Sequence, residues 1–106
     1  LEGAGKEIPD SVLELILRAG KEVSDAYDRA VKAFFSKDVA EANRIIELQE
    51  KIIRLDQEIA SKFFSSETRN VTLCCSVCSI RDNIRETMEH AVDIADLTID
   101  RSYKII

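Results

Sequence analysis

The chain has 106 residues, of which 45% are hydrophobic and 33% charged, and its formal net charge is -5. This length fits one domain, and this composition is typical of a globular protein rather than a disordered one. An acidic chain without a cluster of basic residues lacks the face that binds phosphates, so we expect no direct nucleic acid binding by this domain. Because its apolar runs are short, we expect no membrane insertion either.

Residues 1–8 indicate where the domain begins, and the cysteines indicate in which cellular compartment we expect the protein. Residues 1–8 are rich in glycine, so we expect them to be a linker or a remnant of cloning, with the domain formed by residues 9–106. The three cysteines, Cys74, Cys75 and Cys78, lie too close together to staple distant loops. Such a set predicts a reducing compartment, and we expect a cytoplasmic protein.

A first helix is predicted to open at residues 8–11, with Pro9 just outside its first turn and with Ser11 and Glu14 at the spacing of a capping box. Gly20 in mid-helix costs roughly 1 kcal/mol against Ala, and we expect its missing side chain to let a neighbouring helix come close. Apolar or small residues recur at steps of three and four and predict one buried face: Val12, Ile16, Ala19, Val23, Ala26, Ala30 and Ala33.

A second helix is predicted to begin near Val39, because Asp38 and Glu41 repeat the capping spacing. Ile46, Ile53 and Ala60 widen its apolar face, which favours contact with two neighbours rather than one. The narrower stripe within that face again has steps of three and four: Ala42, Ile45, Leu48, Ile52, Leu55, Ile59 and Phe63.

A third helix is predicted from about Asn70 to Tyr103, after a break at residues 65–68. Three helices of about 24, 26 and 34 residues with short connections predict an all-α fold, an antiparallel up-down-up three-helix bundle. The inner stripe of the third helix has the same spacing as the other two: Leu73, Val77, Ile80, Ile84, Met88, Ala91, Ala95 and Thr98.

Six carboxylates form a line on the third helix, here called the acid ridge. They recur at steps of four and three within an arc of roughly 80°, opposite the inner stripe: Asp82, Glu86, Glu89, Asp93, Asp96 and Asp100. Like charges one turn apart destabilise a helix by a few tenths of a kcal/mol per pair. Three interpretations are open: a solvated face, a cation site, or a docking surface for a basic partner.

The cation interpretation of the acid ridge predicts particular ligands for a divalent or ferric ion. Glu89 and Asp93 lie one turn apart and can share a hard metal ion. The neighbouring candidates on the same helix are Glu86, His90 and Asp96. His90 taken alone fits a surface or packing role at least as well.

Cys75 and Cys78 extend the acid ridge toward the start of the helix. One Cys-x-x-Cys pair and a single His do not complete a zinc site, so we favour small apolar packing, for example at a subunit contact. The spacing of Ser, His, Asp and Cys residues shows no catalytic set, and there is no glycine-rich phosphate loop. We therefore expect no enzymatic activity.

Three segments resemble the PhoU family. The segment 88–99 resembles the signature that closes the three-helix repeats of that family, and residues 35–43 are similar to the start of its second helix. Residues 45–59 follow its Asp-x-x-Ile-x-x-Leu-Glu run. The resemblance covers about residues 10 to 103. Relatives commonly carry two such units in tandem, whereas some archaeal relatives join a single unit to an AbrB-like DNA-binding domain.

PhoU-like proteins regulate phosphate uptake, so the resemblance implies signalling through contact with a protein such as a phosphate transporter or sensor component. Members often hold metal on acidic E/D-x-x-x-D motifs, which Glu89 and Asp93 match here. The family often carries an acidic residue where this chain has Arg85, and Glu86 is shifted by one position. The chain also departs from the family at Gln49 and Ile53, where acidic residues are common. These departures argue against a multinuclear metal cluster, though not against the fold.

The sequence thus predicts a homodimeric, non-enzymatic regulator of phosphate uptake, with a metal ion as an open possibility. The alternative is a helical dimerisation module of a transcriptional regulator, without metal or phosphate link. A ferritin-like carboxylate enzyme would need Glu-x-x-His pairs on two helices, and the chain has one His. The dimer is predicted because apolar positions are numerous and because four phenylalanines are expected to cluster at one end: Phe34, Phe35, Phe63 and Phe64.

Overall fold

The computed structural model describes residues 8–66 and 70–104, and these form three helices without a strand. Helix α1 spans Asp10–Ser36, α2 spans Val39–Phe64 and α3 spans Val71–Lys104. Each helix packs against both others, and the short connection between α1 and α2 makes them antiparallel. The predicted up-down-up bundle is confirmed. The predicted linker lies outside the described residues except for Ile8, which packs against the core.

The start of α1 differs from the predicted capping box. Pro9 is the N-cap, and no side chain caps the helix there. The Pro9 carbonyl accepts hydrogen bonds from the backbone N–H groups of Val12 and Leu13, at 3.0 and 3.1 Å. Since Pro has a helix-compatible φ and lacks the N–H that would need a partner, the helix begins directly after it. Ser11 therefore lies inside the first turn and is exposed.

The α1/α2 turn forms as its sequence predicts. Lys37 adopts a left-handed conformation with φ 58°, and the Asp38 N–H donates to the Ala33 carbonyl at 2.9 Å. This closes α1 in the manner of a Schellman motif. The Asp38 carboxylate then accepts from the backbone N–H of Glu41 at 3.0 Å and caps α2. Two residues thus reverse the chain and hold the helices side by side.

The core runs along the axis of the bundle, where the three inner faces meet. All predicted members of the α3 stripe are buried except Ile80, which is half-buried. On α1, Leu15 is buried and Ile16 only half-buried, because Ile16 lies at the rim between α1 and α3. On α2, Leu48 is half-buried in the same way. The core is rich in alanine on α1 and in isoleucine on α2.

The four phenylalanines do not cluster at one end, so that expectation is wrong. Phe34 and Phe35 form an edge-to-face pair at the end of α1. Phe63 and Phe64 form a second pair at the end of α2. Because α2 runs antiparallel to α1 for 26 residues, the pairs lie at opposite ends of the bundle, roughly 39 Å apart at 1.5 Å per residue.

Candidate functional site

The acid ridge lies on the outer face of α3, and Glu89 at its edge also borders α2. All six of its carboxylates are exposed. One of them, Asp82, pairs with Arg85 on the next turn. The predicted ligands Glu86, Glu89, His90, Asp93 and Asp96 are likewise all exposed. Within residues 8–66 and 70–104, no three His, Cys, Asp or Glu side chains are grouped so that they could hold a metal ion.

The surroundings of Glu89 show what α2 adds to the predicted metal ligands. A groove of about 210 Å³ between α2 and α3 is lined by Gln49, Ile53, Arg85 and Glu89, over Ile52 and Met88. It therefore offers Glu89 an amide, an apolar side chain and a cation instead of a second carboxylate. A hard metal ion prefers several oxygen ligands. A metal at Glu89 and Asp93 would depend on α3 itself and on water, and it stays a prediction.

The cysteines are free thiols in this chain. Cys74 is half-buried and packs against the core, whereas Cys75 and Cys78 are exposed. The described part of the chain thus does not bury Cys75 and Cys78. Their predicted place at a subunit contact stays a prediction.

The lines along which two helices meet, here called seams, hold contacts that the sequence analysis missed. At the α2/α3 seam, Arg81 donates two hydrogen bonds to Asp56, at 2.8 and 3.1 Å. The Asp56 side chain is only 9% exposed. The hydrogen bond with Asp56 raises the pKa of Arg81 above its ordinary value. A carboxylate next to Leu55 in the buried face of α2 was the signal for this pair, but the sequence did not show its partner.

The α1/α2 seam has a similar fork. Arg29 donates two hydrogen bonds to Glu41, at 2.7 and 3.0 Å, and Arg44 donates a third at 2.9 Å. These hydrogen bonds, first that of Arg29 and then that of Arg44, lower the pKa of Glu41 to about 2. The hydrogen bond with Glu41 in turn raises the pKa of Arg29. Further along the seam, Lys51 pairs with Glu22 at 3.1 Å.

The α1/α3 seam is different, because no ion pair crosses it among the described residues. The guanidinium of Arg101 lies over the Phe34 ring, 4.9 Å from its centroid. A groove of about 480 Å³ lies along this seam. Among the described residues eight large apolar side chains are exposed, and five of them lie on these two helices near the seam: Leu13, Leu17, Tyr27, Phe35 and Leu97. The sequence analysis did not single out this face.

None of the described helices is both long and apolar enough to cross a membrane. A comparison with known protein families gives a match to this chain. The PhoU domain matches residues 16–98, from the second turn of α1 almost to the end of α3. No curated protein and no solved structure matches the chain. Since the domain covers most of the chain and its three helices are those seen here, the protein belongs to the PhoU family.

Proposed function

We propose that this chain is a non-enzymatic regulator of phosphate uptake that acts through protein contacts in the cytoplasm. The observation that carries the proposal is the PhoU domain match across residues 16–98. The character of the surface supports it. The groove of about 480 Å³ along the α1/α3 seam is lined mainly by apolar and uncharged side chains, and Lys21 is the charged residue among them. Such a lining suits contact with another protein better than acid–base chemistry, which needs a group that titrates near the working pH.

The partner in this proposal is a component of phosphate transport or sensing. Removal of the gene from its host should change the rate of labelled phosphate uptake under phosphate-rich conditions, and the full chain supplied in trans should restore it. A Met88→Asp variant, whose core is disrupted, serves as the control that should not restore it. Unchanged uptake in the deletion strain would contradict the proposal. If transcription changed instead, the dimerisation module of a transcriptional regulator would be the better account.

The working form in this proposal is a homodimer. The exposed apolar side chains along α1 and α3 support it, because a monomer gains nothing from leaving them in water. Light scattering at high micromolar concentration should give twice the monomer mass of 11.9 kDa. A monomer mass under these conditions would contradict the dimer.

Metal binding by the acid ridge is a separable part of the proposal. The exposed pair Glu89 and Asp93 supports at most a hydrated ion with few protein ligands. Calorimetric titration with iron, zinc, nickel and magnesium checks this part. Flat traces for all four would remove the metal and leave the acid ridge as a docking surface or a solvated face.

A further inference from the structure

The α1 side of the α1/α3 seam carries an uncharged stripe with regular spacing. Its members follow one another at steps of four and three residues: Leu13, Leu17, Gly20, Ser24, Tyr27 and Val31. Leu17 is 73% exposed and Tyr27 43% exposed. The core of this chain therefore does not explain the stripe. This spacing is the one by which a helix presents a second face to a partner helix.

Gly20 lies near the middle of this stripe, and the fold of the single chain does not require it. A Cβ atom built at Gly20 would meet nothing within 4 Å. The expected close approach of a neighbouring helix is therefore absent within the chain. A mid-helix glycine is destabilising relative to alanine, and here no contact in the chain offsets that effect. The groove beside it, bordered by Leu17, Ile80 and Thr87, is open to a partner.

The two ends of the seam are apolar, in contrast to its small-residue centre. At the far end, Val31, Phe34, Phe35, Ile94 and Leu97 line a second groove of about 200 Å³. Phe35 is 79% exposed and Leu97 56% exposed. The seam thus has bulky apolar side chains at both ends and a close-approach position between them.

The stripe is complementary to its own reversed copy. In an antiparallel pair of α1 helices, Leu13 would oppose Val31, Leu17 would oppose Tyr27, and Gly20 would oppose Ser24. A two-fold axis makes each of these contacts twice, because residue i meets j and j meets i. Large side chains then meet large ones, and the two small residues meet at the axis. The small side chains at the axis let the two helix backbones come close together there.

The charges on α1 have the same symmetry. Six charged residues of α1 between Ser11 and Ser36 are exposed, and the order of their signs becomes its own complement when reversed: Glu14, Arg18, Lys21, Asp25, Asp28 and Lys32. In an antiparallel pair centred near Val23, Glu14 comes close to Lys32, Arg18 to Asp28, and Lys21 to Asp25. Side chains of opposite charge would therefore flank the apolar stripe on both copies. Such complementarity fixes orientation more than it adds affinity.

The size of the face is sufficient for a dimer. From Leu13 to Phe35 the α1 side of the seam is roughly 33 Å long at 1.5 Å per residue, and two helices side by side are roughly 20 Å wide. A face of roughly 650 Å² is close to the ~800 Å² per partner of a standard interface. Its uncharged stripe and charged flank also match the arrangement of such interfaces.

We infer that the α1/α3 seam is the surface on which a second copy of this chain docks, antiparallel and two-fold symmetric, with Gly20 and Ser24 at the axis. The inference deepens the homodimer of the proposed function and rests on it. Each copy places its α1 in the open groove of the other, so the pair closes both seams at once.

Gly20→Gln tests the close approach at the axis. The new side chain enters open space in the monomer, and Gln is a better helix former than Gly, so the variant should be at least as heat-stable as the parent. Between two helices the same side chain has no room, and the dissociation constant should rise roughly tenfold or more. Ile53→Gln, on an exposed position of α2 away from this seam, is the matched control and should leave the constant unchanged.

A charge exchange tests the antiparallel orientation. Arg18→Asp places like charges opposite each other at two symmetric positions and should weaken the dimer roughly fivefold. Adding Asp28→Arg in the same chain restores opposite charges at both positions and should recover most of that loss. Sedimentation equilibrium measures all four variants. A dimer that none of these substitutions weakens would contradict the inference and leave the dimer itself standing, whereas a monomer in every sample would contradict both, with the uptake assay still deciding the regulatory role.

Discussion

The α1/α2 and α2/α3 seams are each crossed by a charged fork, whereas no ion pair crosses the α1/α3 seam among the described residues. Arg29 with Glu41 and Arg81 with Asp56 each span two helices with paired hydrogen bonds. The third seam has one cation–π contact, apolar grooves and exposed leucines instead. A bidentate fork fixes the register of two helices because its geometry tolerates little sliding. Ion pairs within the chain thus join the helices at two seams. The third seam, which has none among the described residues, is where we propose that a second copy docks.

The largest effect should come from the core beneath all three seams. Met88→Asp buries an unpaired carboxylate at a position only 2% exposed, and it should destabilise the domain by about 4 kcal/mol or more. Asp100→Asn, on the exposed acid ridge of the same helix, is the control and should change little. Thermal unfolding followed by circular dichroism compares the two. Equal melting temperatures would show that the register of α3 is wrong.

The next largest effect should come from the α2/α3 seam. Arg81→Met leaves Asp56 buried without its partner and should cost about 2 to 3 kcal/mol. Adding Asp56→Leu should recover most of that loss, because an apolar pair needs no hydrogen bonds. The control is Arg54→Met, whose 3.9 Å contact with Glu50 is exposed, and it should change stability by less than about 0.5 kcal/mol. Urea denaturation measures these differences, and equal losses for Arg81→Met and Arg54→Met would mean that the fork does not close the seam.

A smaller and pH-dependent effect is expected at the α1/α2 seam. Glu41→Gln removes the acceptor charge of the fork and should cost about 1 kcal/mol near neutral pH. Since hydrogen bonds from Arg29 and Arg44 hold the pKa of Glu41 at about 2, below its ordinary value of 4.5, the carboxylate stabilises the folded state fully above pH 4.5. That advantage is lost as the pH falls from 4.5 toward 2.

The measurement for this seam is the difference in unfolding free energy between the parent and Glu41→Gln, followed from neutral pH downward. This difference in unfolding free energy should decrease as the pH falls from 4.5 toward 2. Glu58→Gln, which removes only an exposed contact of 4.0 Å with Lys62, is the control and should show a much smaller difference throughout. A constant difference for Glu41→Gln at all pH values would show that its loss is steric rather than electrostatic.

The smallest effect is expected on the exposed acid ridge. In metal-free buffer, Glu89→Gln with Asp93→Asn should be neutral or should stabilise the domain by a few tenths of a kcal/mol, because repulsion along α3 is relieved. If these two carboxylates hold an ion, the melting temperature of the parent should rise with ion concentration and that of the double variant should not. A loss of stability in metal-free buffer would show that the pair has a structural role.

The helices and most of the core were predictable because they depend on local signals. The Asp38 cap and the three-four spacing of α3 are properties of short segments, and both appear as predicted. At the start of α1, Pro9 lies just outside the first turn as predicted. The capping box expected at Ser11 does not form, because a helix can begin directly after a proline without a capping side chain.

The seams could not be predicted from periodicity. Arg81 meets Asp56 because of the rotation of one helix about its axis relative to another, and spacing within each helix does not determine that angle. The same holds for Gly20. The sequence predicts that a neighbouring helix comes close to it, whereas the structure has an exposed groove there. The ligands proposed on the acid ridge were placed correctly on one exposed face, but whether an ion binds there depends on more than their spacing.

Methyl NMR over a dilution series of the full chain tests most directly whether a second copy docks at the α1/α3 seam rather than at the other two. If the α1/α3 seam is where a second copy docks, the methyl signals of Leu13, Leu17 and Leu97 should shift with concentration and converge on monomer values at low micromolar concentration. The methyl signals of Ile53, equally exposed but on α2, should stay fixed. Shifts at Ile53 with unchanged signals at Leu17 and Leu97 would contradict the account.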